Sequence, residues 1–192
     1  MRIVVGLGNP GEEYAHTRHN AGFEVIDRLA HEWGVSYWKT TCGSLVGEAK
    51  VRTADGLEKV ILAKPQSFMN ASGGPVAHLC REYDATPEDL IIIHDELDIA
   101  PGTVRVKAGG GHAGHNGLKY IIGKIGTRDF VRVRVGIGRP PGRMRVVTFV
   151  LATPRKDDKD LFDAACVRAS EAVESLLLHG VARTQDTFNA SS

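Results

Sequence analysis

Seven polar side chains fall at the ends of predicted strands or in the loops beside them: Asn9, Tyr14, His19, Asn70, Asp95, His115 and Asn116. In open α/β sheets that is where ligands bind. An aspartate bonded to one imidazole nitrogen fixes the tautomer and leaves the other nitrogen free to deprotonate water, while carboxamides can hold a carbonyl and its developing oxyanion. Together the seven supply the parts of a hydrolase. Singly, each has a plainer use: Asn70 and Asp95 as caps or turn formers, His19 as a helix-entry residue, Asn116 as a left-handed residue among glycines.

Other chemistries find less support. Gly6-Leu7-Gly8-Asn9-Pro10-Gly11 matches G-x-G-x-x-G straight after a strand, but in a dinucleotide site the third glycine lies in a starting helix and an acid ends the next strand. Here Pro10 occupies the turn, the next helix starts only near Asn20, and Asp27 lies inside it. The glycines therefore shape a loop that presents Asn9, and no nicotinamide or flavin is expected. His16 with His19, and His112 with His115, stand at i, i+3 in predicted loops, and no H-E-x-x-H is present. A zinc site assembled in space from His19, His115 and Asp95 stays open as an alternative. There is no G-x-S-x-G elbow, no cysteine in an activating context and no G-x-x-x-x-G-K-[ST] phosphate loop.

The elements that must position these residues follow from periodicity. Arg2 to Leu7 is a β-branched strand, and residues 20–33 form a helix with Phe23, Ile26, Ala30 and Trp33 on one face, stopped by Gly34. Residues 44–53 and 58–64 form a hairpin around Ala54-Asp55-Gly56-Leu57. A helix over 72–83, a fully buried strand from Leu90 to His94, and strands over Thr103–Lys107 and 131–137 come next; the run Gly109–Gly117 and a short helix lie between the last two. Thr153-Pro154, with the proline at the first helical position, and Asp157 open a final helix striped by Leu161, Ala165, Ala169, Ala172 and Leu176, which ends near Gly180. Strands alternating with helices, plus one hairpin, predict one α/β domain over 1–192, a three-layer arrangement around a twisted mixed sheet.

The 192 residues carry 24 Lys+Arg against 23 Asp+Glu and are 42% apolar, the composition of an ordinary globular domain whose core needs no disulfide or structural metal. Cys42, Cys80 and Cys166 are too few and too scattered for a disulfide framework or a four-cysteine site, which fits a reducing cytosol. The longest aliphatic run is Leu90–Ile93, and no basic leader precedes the first strand, so neither signal peptide nor membrane span is expected. Charge is uneven: residues 82–98 hold seven acids and no Lys or Arg, whereas 99–146 hold ten Lys/Arg against the single acid Asp129. Two solvated faces are the usual source of such blocks, but a glycine-interleaved basic stretch beside polar chemistry suits a phosphate-rich partner.

Several blocks match a known family. Val5–Gly11, Tyr14 with Thr17-Arg18-His19-Asn20-Ala21-Gly22, Lys64–Gly73, His94–Asp98, Gly109–Lys119 and Arg132–Pro140 occur in that order, and through them the chain resembles the bacterial-type peptidyl-tRNA hydrolases. The resemblance implies a metal-independent, cofactor-free, monomeric cytoplasmic esterase that cleaves a peptide from the 3′-terminal ribose of tRNA and so recycles tRNA. It implies His19 as general base, Asp95 as its orienting carboxylate, and Asn9 as reader of the peptide's first amide, which rejects unblocked aminoacyl-tRNA. Tyr14, Phe68, Asn70 and Asn116 fall on positions that hold substrate, with Met69 nearby; an aromatic face suits an unpaired 3′ nucleotide. Lys107 and Arg134 match a pair that takes the 5′ phosphate beside the acceptor stem, and Arg105 stands where lysine is common. His115 is given a supporting role only, and Thr187-Phe188-Asn189 no function. The alternative within the fold is a catalytically silent RNA-binding relative, as the family's splicing-factor homologues suggest. Intact His19, Asp95 and Asn9 argue against it.

Overall fold

The computed structural model describes residues 1–189. Seven strands form one mixed sheet: β1 (Arg2–Gly6), β2 (Lys39–Thr41), β3 (Ser44–Thr53), β4 (Gly56–Pro65), β5 (Leu90–Glu96), β6 (Val104–Ala108) and β7 (Val131–Gly136), in the order β2-β3-β4-β1-β5-β7-β6. The strands β4, β1, β5 and β7 run parallel, while β2, β3 and β6 join antiparallel at the two sides. The helices are α1 (Ala21–Glu32), α2 (Gly73–Glu82), α3 (Asn116–Ile125), α4 (Val146–Val150), α5 (Asp157–His179) and α6 (Val181–Phe188).

Alternation along the central strands builds two cores. Val4, Ile91, Ile93, Val133 and Val135 pack with α1 and α5, whereas Ile3, Val5, Leu90 and Ile92 pack with α2 and α3. Every residue of β5 is buried, as a strand covered on both faces must be. The path leaves β1 through α1 on one face and reaches β5 through α2 on the other. The carboxyl ends of β1 and β5 therefore flank a crevice, the place where open α/β sheets bind ligands. Close approach of α1 to β1 is possible because Gly22 has no side chain: a Cβ there would lie 2.3 Å from the Leu7 nitrogen and 2.5 Å from the Ile93 oxygen.

The three-layer expectation holds, with local corrections. The buried face of α1 is Ala21, Val25, Ile26, Leu29 and Ala30, with Phe23 and Trp33 only partly covered. The hairpin turns over Ala54-Asp55 alone, and its arms run from Ser44 to Pro65. Pro154 lies outside α5, which begins at Asp157 behind Lys156. The buried stripe there starts at Phe162, since Leu161 is exposed. That helix is not the last, because Gly180 turns the chain into α6. The short strand β2 and the helix α4 went unpredicted; each is too short to show a period.

Candidate active site

The loop after β1 is pinned through Asn9. Its backbone N–H donates to Asn20 Oδ1 at 2.8 Å, and Asn20 Nδ2 returns a bond to the Asn9 carbonyl at 3.0 Å. Asn9 Oδ1 accepts from the Met69 N–H at 2.7 Å, which fixes the amide's orientation and leaves Nδ2 without a protein partner among the described residues. The glycine loop thus presents a carboxamide donor, and 3₁₀ turns over Glu12–Tyr14 and Arg18–Asn20 follow it in place of a helix.

Asp95, near the end of β5, collects two histidines. His19, in the turn ahead of α1, brings Nδ1 to 2.9 and 3.0 Å from the two carboxylate oxygens. His115, the cap of α3, brings Nε2 to 2.9 Å from Oδ1. Its Nδ1 accepts from the Leu118 N–H at 3.3 Å, so the proton sits on Nε2 and is donated to Asp95. Burial alone would raise the Asp95 carboxyl, but attraction to His19 and the bonds from His115 and His19 outweigh it and hold the group far below the usual carboxylate range. Burial pulls His19 down, whereas the charge of Asp95 and its hydrogen bond more than compensate, so the His19 imidazole lies above its ordinary value. With Nδ1–H committed to Asp95, Nε2 is the nitrogen open to the cleft. It can take a proton from water while the adjacent carboxylate stabilises the imidazolium that results.

His94 completes the cluster from below. It is fully buried, donates Nδ1–H to the Asp95 carbonyl at 2.7 Å, and sets its ring edge-on to His115 with centroids 4.8 Å apart. Burial first, then the neighbouring His115, pushes its pKa down to about 3, so it stays neutral.

A cleft of about 580 Å³ opens over these groups. Asn9, His19 and Asp95 line one side, Phe68, Met69 and Asn70 another, and His115 and Asn116 a third. Val146, Val147, Val150 and Leu151 supply an apolar wall. Arg18, next in sequence to His19, holds that wall: its guanidinium lies 4.1 Å over the Phe149 ring and donates to the Phe149 carbonyl at 3.2 Å. Tyr14 stands behind, edge-on to the exposed Phe68 at 6.1 Å.

Beyond the cleft, β6 and β7 face Arg105 against Arg134 and Lys107 against Arg132. Like charges directly opposite cost stability, and two of the four are offset internally. Arg134 Nε is 3.5 Å from Glu96. Arg132 is 2% exposed and donates to the carbonyls of Gly110, Gly111 and Arg128 at 2.6, 2.6 and 3.0 Å. Arg105 and Lys107 are exposed and make no ion pair among the described residues. The result is a row of cations at the sheet edge, ending at the glycine loop that leads to His115 and Asn116.

Comparison with known proteins decides what family this arrangement belongs to. The family model described as "Peptidyl-tRNA hydrolase" matches residues 3–192. The chain belongs to the peptidyl-tRNA hydrolase family. It is 43% identical to the peptidyl-tRNA hydrolase of Syntrophotalea carbinolica over 98% of this chain and 97% of that one. With that of Kineococcus radiotolerans the identity is 45%, over 98% and 96%. The crystal structure of the Acinetobacter baumannii peptidyl-tRNA hydrolase superposes with a TM-score of 0.90 at 39% identity, covering all of this chain and 96% of that one.

Within this peptidyl-tRNA hydrolase fold, the sequence-selected Asn9, His19, Phe68, Met69, Asn70, Asp95 and Asn116 do converge on one cleft. Arg105, Lys107 and Arg134 share the neighbouring sheet face. One assignment changes. Asn116 is the first residue of α3 and not a left-handed loop residue; the positive φ values of this loop fall on Gly109, Gly110, Ala113 and Gly114. His112 stays in the loop, accepting from the Gly114 N–H. The zinc trio His19, Asp95 and His115 does come together, but its members are already hydrogen-bonded to one another.

Sequence reasoning missed Asn20, Arg18, His94 and Arg132. All four stand in the motif blocks of the sequence, which record their presence but not the contacts that give them a place in the site.

Proposed function

We propose that this peptidyl-tRNA hydrolase works without a metal, with His19 as general base, Asp95 as its orienting carboxylate, Asn70 and Asn116 holding the ester, and Asn9 reading the peptide's first amide. The reaction is hydrolysis of the bond between a peptide and the 3′-terminal ribose of tRNA. The observation that carries the mechanism is the His19 Nδ1–Asp95 pair, with Nε2 facing a cleft lined by three carboxamides. Water placed at Nε2 loses its proton to the imidazole and attacks the ester carbonyl. The tetrahedral oxyanion takes hydrogen bonds from the amides, and the ribose oxygen leaves with the proton returned by His19.

Asn9 Nδ2, whose rotamer is fixed from the other side by Met69, suits the carbonyl of the peptide's first amide, counted from the ester. An unblocked aminoacyl ester offers a charged ammonium there and leaves the donor unpaired, a discrimination that polar sites make well. Phe68, with Tyr14 behind it, offers a face to the terminal adenosine, and Met69 packs beneath. Lys107, Arg134 and Arg105 serve the 5′ phosphate and acceptor stem. Every group invoked comes from one chain, so a monomer suffices. No described helix is long and apolar enough to cross a membrane.

The test is release of an N-acetylated amino acid from its tRNA in EDTA, with the unblocked aminoacyl-tRNA as control, by wild type and His19→Ala. Chelator-resistant cleavage of the blocked ester alone, lost in His19→Ala, supports the assignment. Loss of activity in EDTA would transfer the roles of His19, Asp95 and His115 to a metal, and binding without cleavage would favour a silent RNA-binding relative.

A further inference from the structure

Away from the cleft, the turn between β2 and β3 presents a thiol to helix α2. Cys42 and Gly43 form this two-residue turn, with φ of 54° and 65°. Two consecutive positive φ values are what Asn-Gly or Gly-Gly adopt cheaply. A cysteine in the first position costs local backbone strain, and such strain gathers where a side chain is needed in place. The Cys42 side chain turns inward, against the second core, under α2. His78 and Glu82, one helical turn apart at i, i+4, project from the exposed side of α2 beside it. One donor atom from each of the three residues lies within 4.8 Å of the other two. Neither the imidazole of His78 nor the carboxylate of Glu82 has an ion pair or hydrogen bond among the described residues. Among the described residues the thiol's hydrogen-bonding contact is with Thr41 Oγ1, at 3.7 Å.

We propose that Cys42, His78 and Glu82 form a binding site for a zinc-class divalent ion, separate from catalysis. Thiolate, imidazole and carboxylate together make a borderline-soft donor set, which selects zinc or cobalt over magnesium or calcium. Three protein donors leave the fourth tetrahedral position to water. The two halves of the site are already held in register. Pro75 of α2 lies against Gly43, and the Gly43 carbonyl accepts from the Gln66 N–H at 2.8 Å. Closing from 4.8 Å to a metal-centred spacing then needs rotation of two exposed side chains only. Binding releases the thiol proton to solvent, so affinity rises with pH. The bound ion staples the turn to α2, next to the segment that carries Phe68, Met69 and Asn70.

The experiment is titration of the reduced, full-length protein with Co²⁺, followed by displacement with Zn²⁺. The His19–Asp95–His115 trio contains no sulfur, so a thiolate-to-cobalt charge-transfer band reports this site alone. One equivalent should give the band, and Zn²⁺ should remove it. Cys42→Ser should abolish it, and His78→Ala and Glu82→Gln, both at exposed positions, should each weaken binding by roughly tenfold or more. Zn²⁺ should also raise the melting temperature of wild type but not of His78→Ala, with hydrolysis in EDTA equal in both. Absence of the band overturns the proposal. So does a band that survives Cys42→Ser, which would belong to Cys80 or Cys166, or one indifferent to both His78→Ala and Glu82→Gln.

Discussion

Two polar regions lie on neighbouring strands of the sheet and are built on opposite principles. Around Asp95 each donor and acceptor is nearly all assigned: His19, His115 and His94 each commit one nitrogen to Asp95 or its backbone, and His115 commits the second to a helix cap. On β6 and β7, cations face one another, offset among the described residues by Glu96, three carbonyls and the Phe130 ring beside Arg132. The first region is costly to disturb and suits proton transfer, which needs one proton on one atom. The second keeps charge in water, where it attracts phosphate over a Debye length without fixing a geometry. Chemistry and RNA affinity should therefore separate under mutation.

The sharpest separation is expected from His19→Ala. It should lower kcat by about 10²–10⁴-fold, roughly 3–5 kcal/mol, with KM little changed in a steady-state assay. An equal loss in both parameters would merge the two regions. In wild type, kcat/KM should rise with pH through an apparent value above 6.5, because His19, the proposed base, is raised and must be deprotonated to accept a proton.

His94 tests whether the catalytic cluster also carries stability. Its folded pKa of about 3 is depressed from 6.5, so the unfolded chain gains the proton first as pH falls. Stability is full above pH 6.5 and declines below it, by about 3 kcal/mol on reaching pH 4. Denaturant melts of His94→Asn should show that acid slope largely removed, and an unchanged slope would exonerate the residue.

Arg132 belongs to the basic row by sequence and to the ordered region by structure. Arg132→Met should cost roughly 2–3 kcal/mol in thermal or denaturant melts, through lost charge-assisted bonds to the glycine loop. Its effect on the salt dependence of tRNA binding should be small. A large change in salt slope would return Arg132 to the phosphate-binding group.

Lys107→Ala and Arg134→Ala should each raise KM by several-fold at low salt, leave kcat nearly alone, and reduce the salt slope of binding by about 1. Asn189→Ala should be mildest. The Asn189 amide accepts from the Val106 N–H and donates to its carbonyl, both at 2.8 Å, and so closes the free edge of β6 from the chain's last described residue. Its loss should cost about 1 kcal/mol in melts and raise KM slightly, by loosening the strand that carries Arg105 and Lys107.

Period and punctuation in the sequence determined most of the framework: β1, the hairpin, α2, β5 and α5 are visible as runs with turn residues between them. The motif blocks also picked out His19, Asp95 and the three asparagines, because polar residues of those types stand together at predicted strand ends and the loops beside them. What the tertiary structure alone decided was pairing. That Asn20 orients Asn9, that Asp95 takes two imidazoles with a third histidine beneath, and that a cation on β7 is spent on glycine carbonyls all depend on contacts between distant segments. A hydrogen bond is made by position in space, and a linear pattern records which groups are available but not which of them meet.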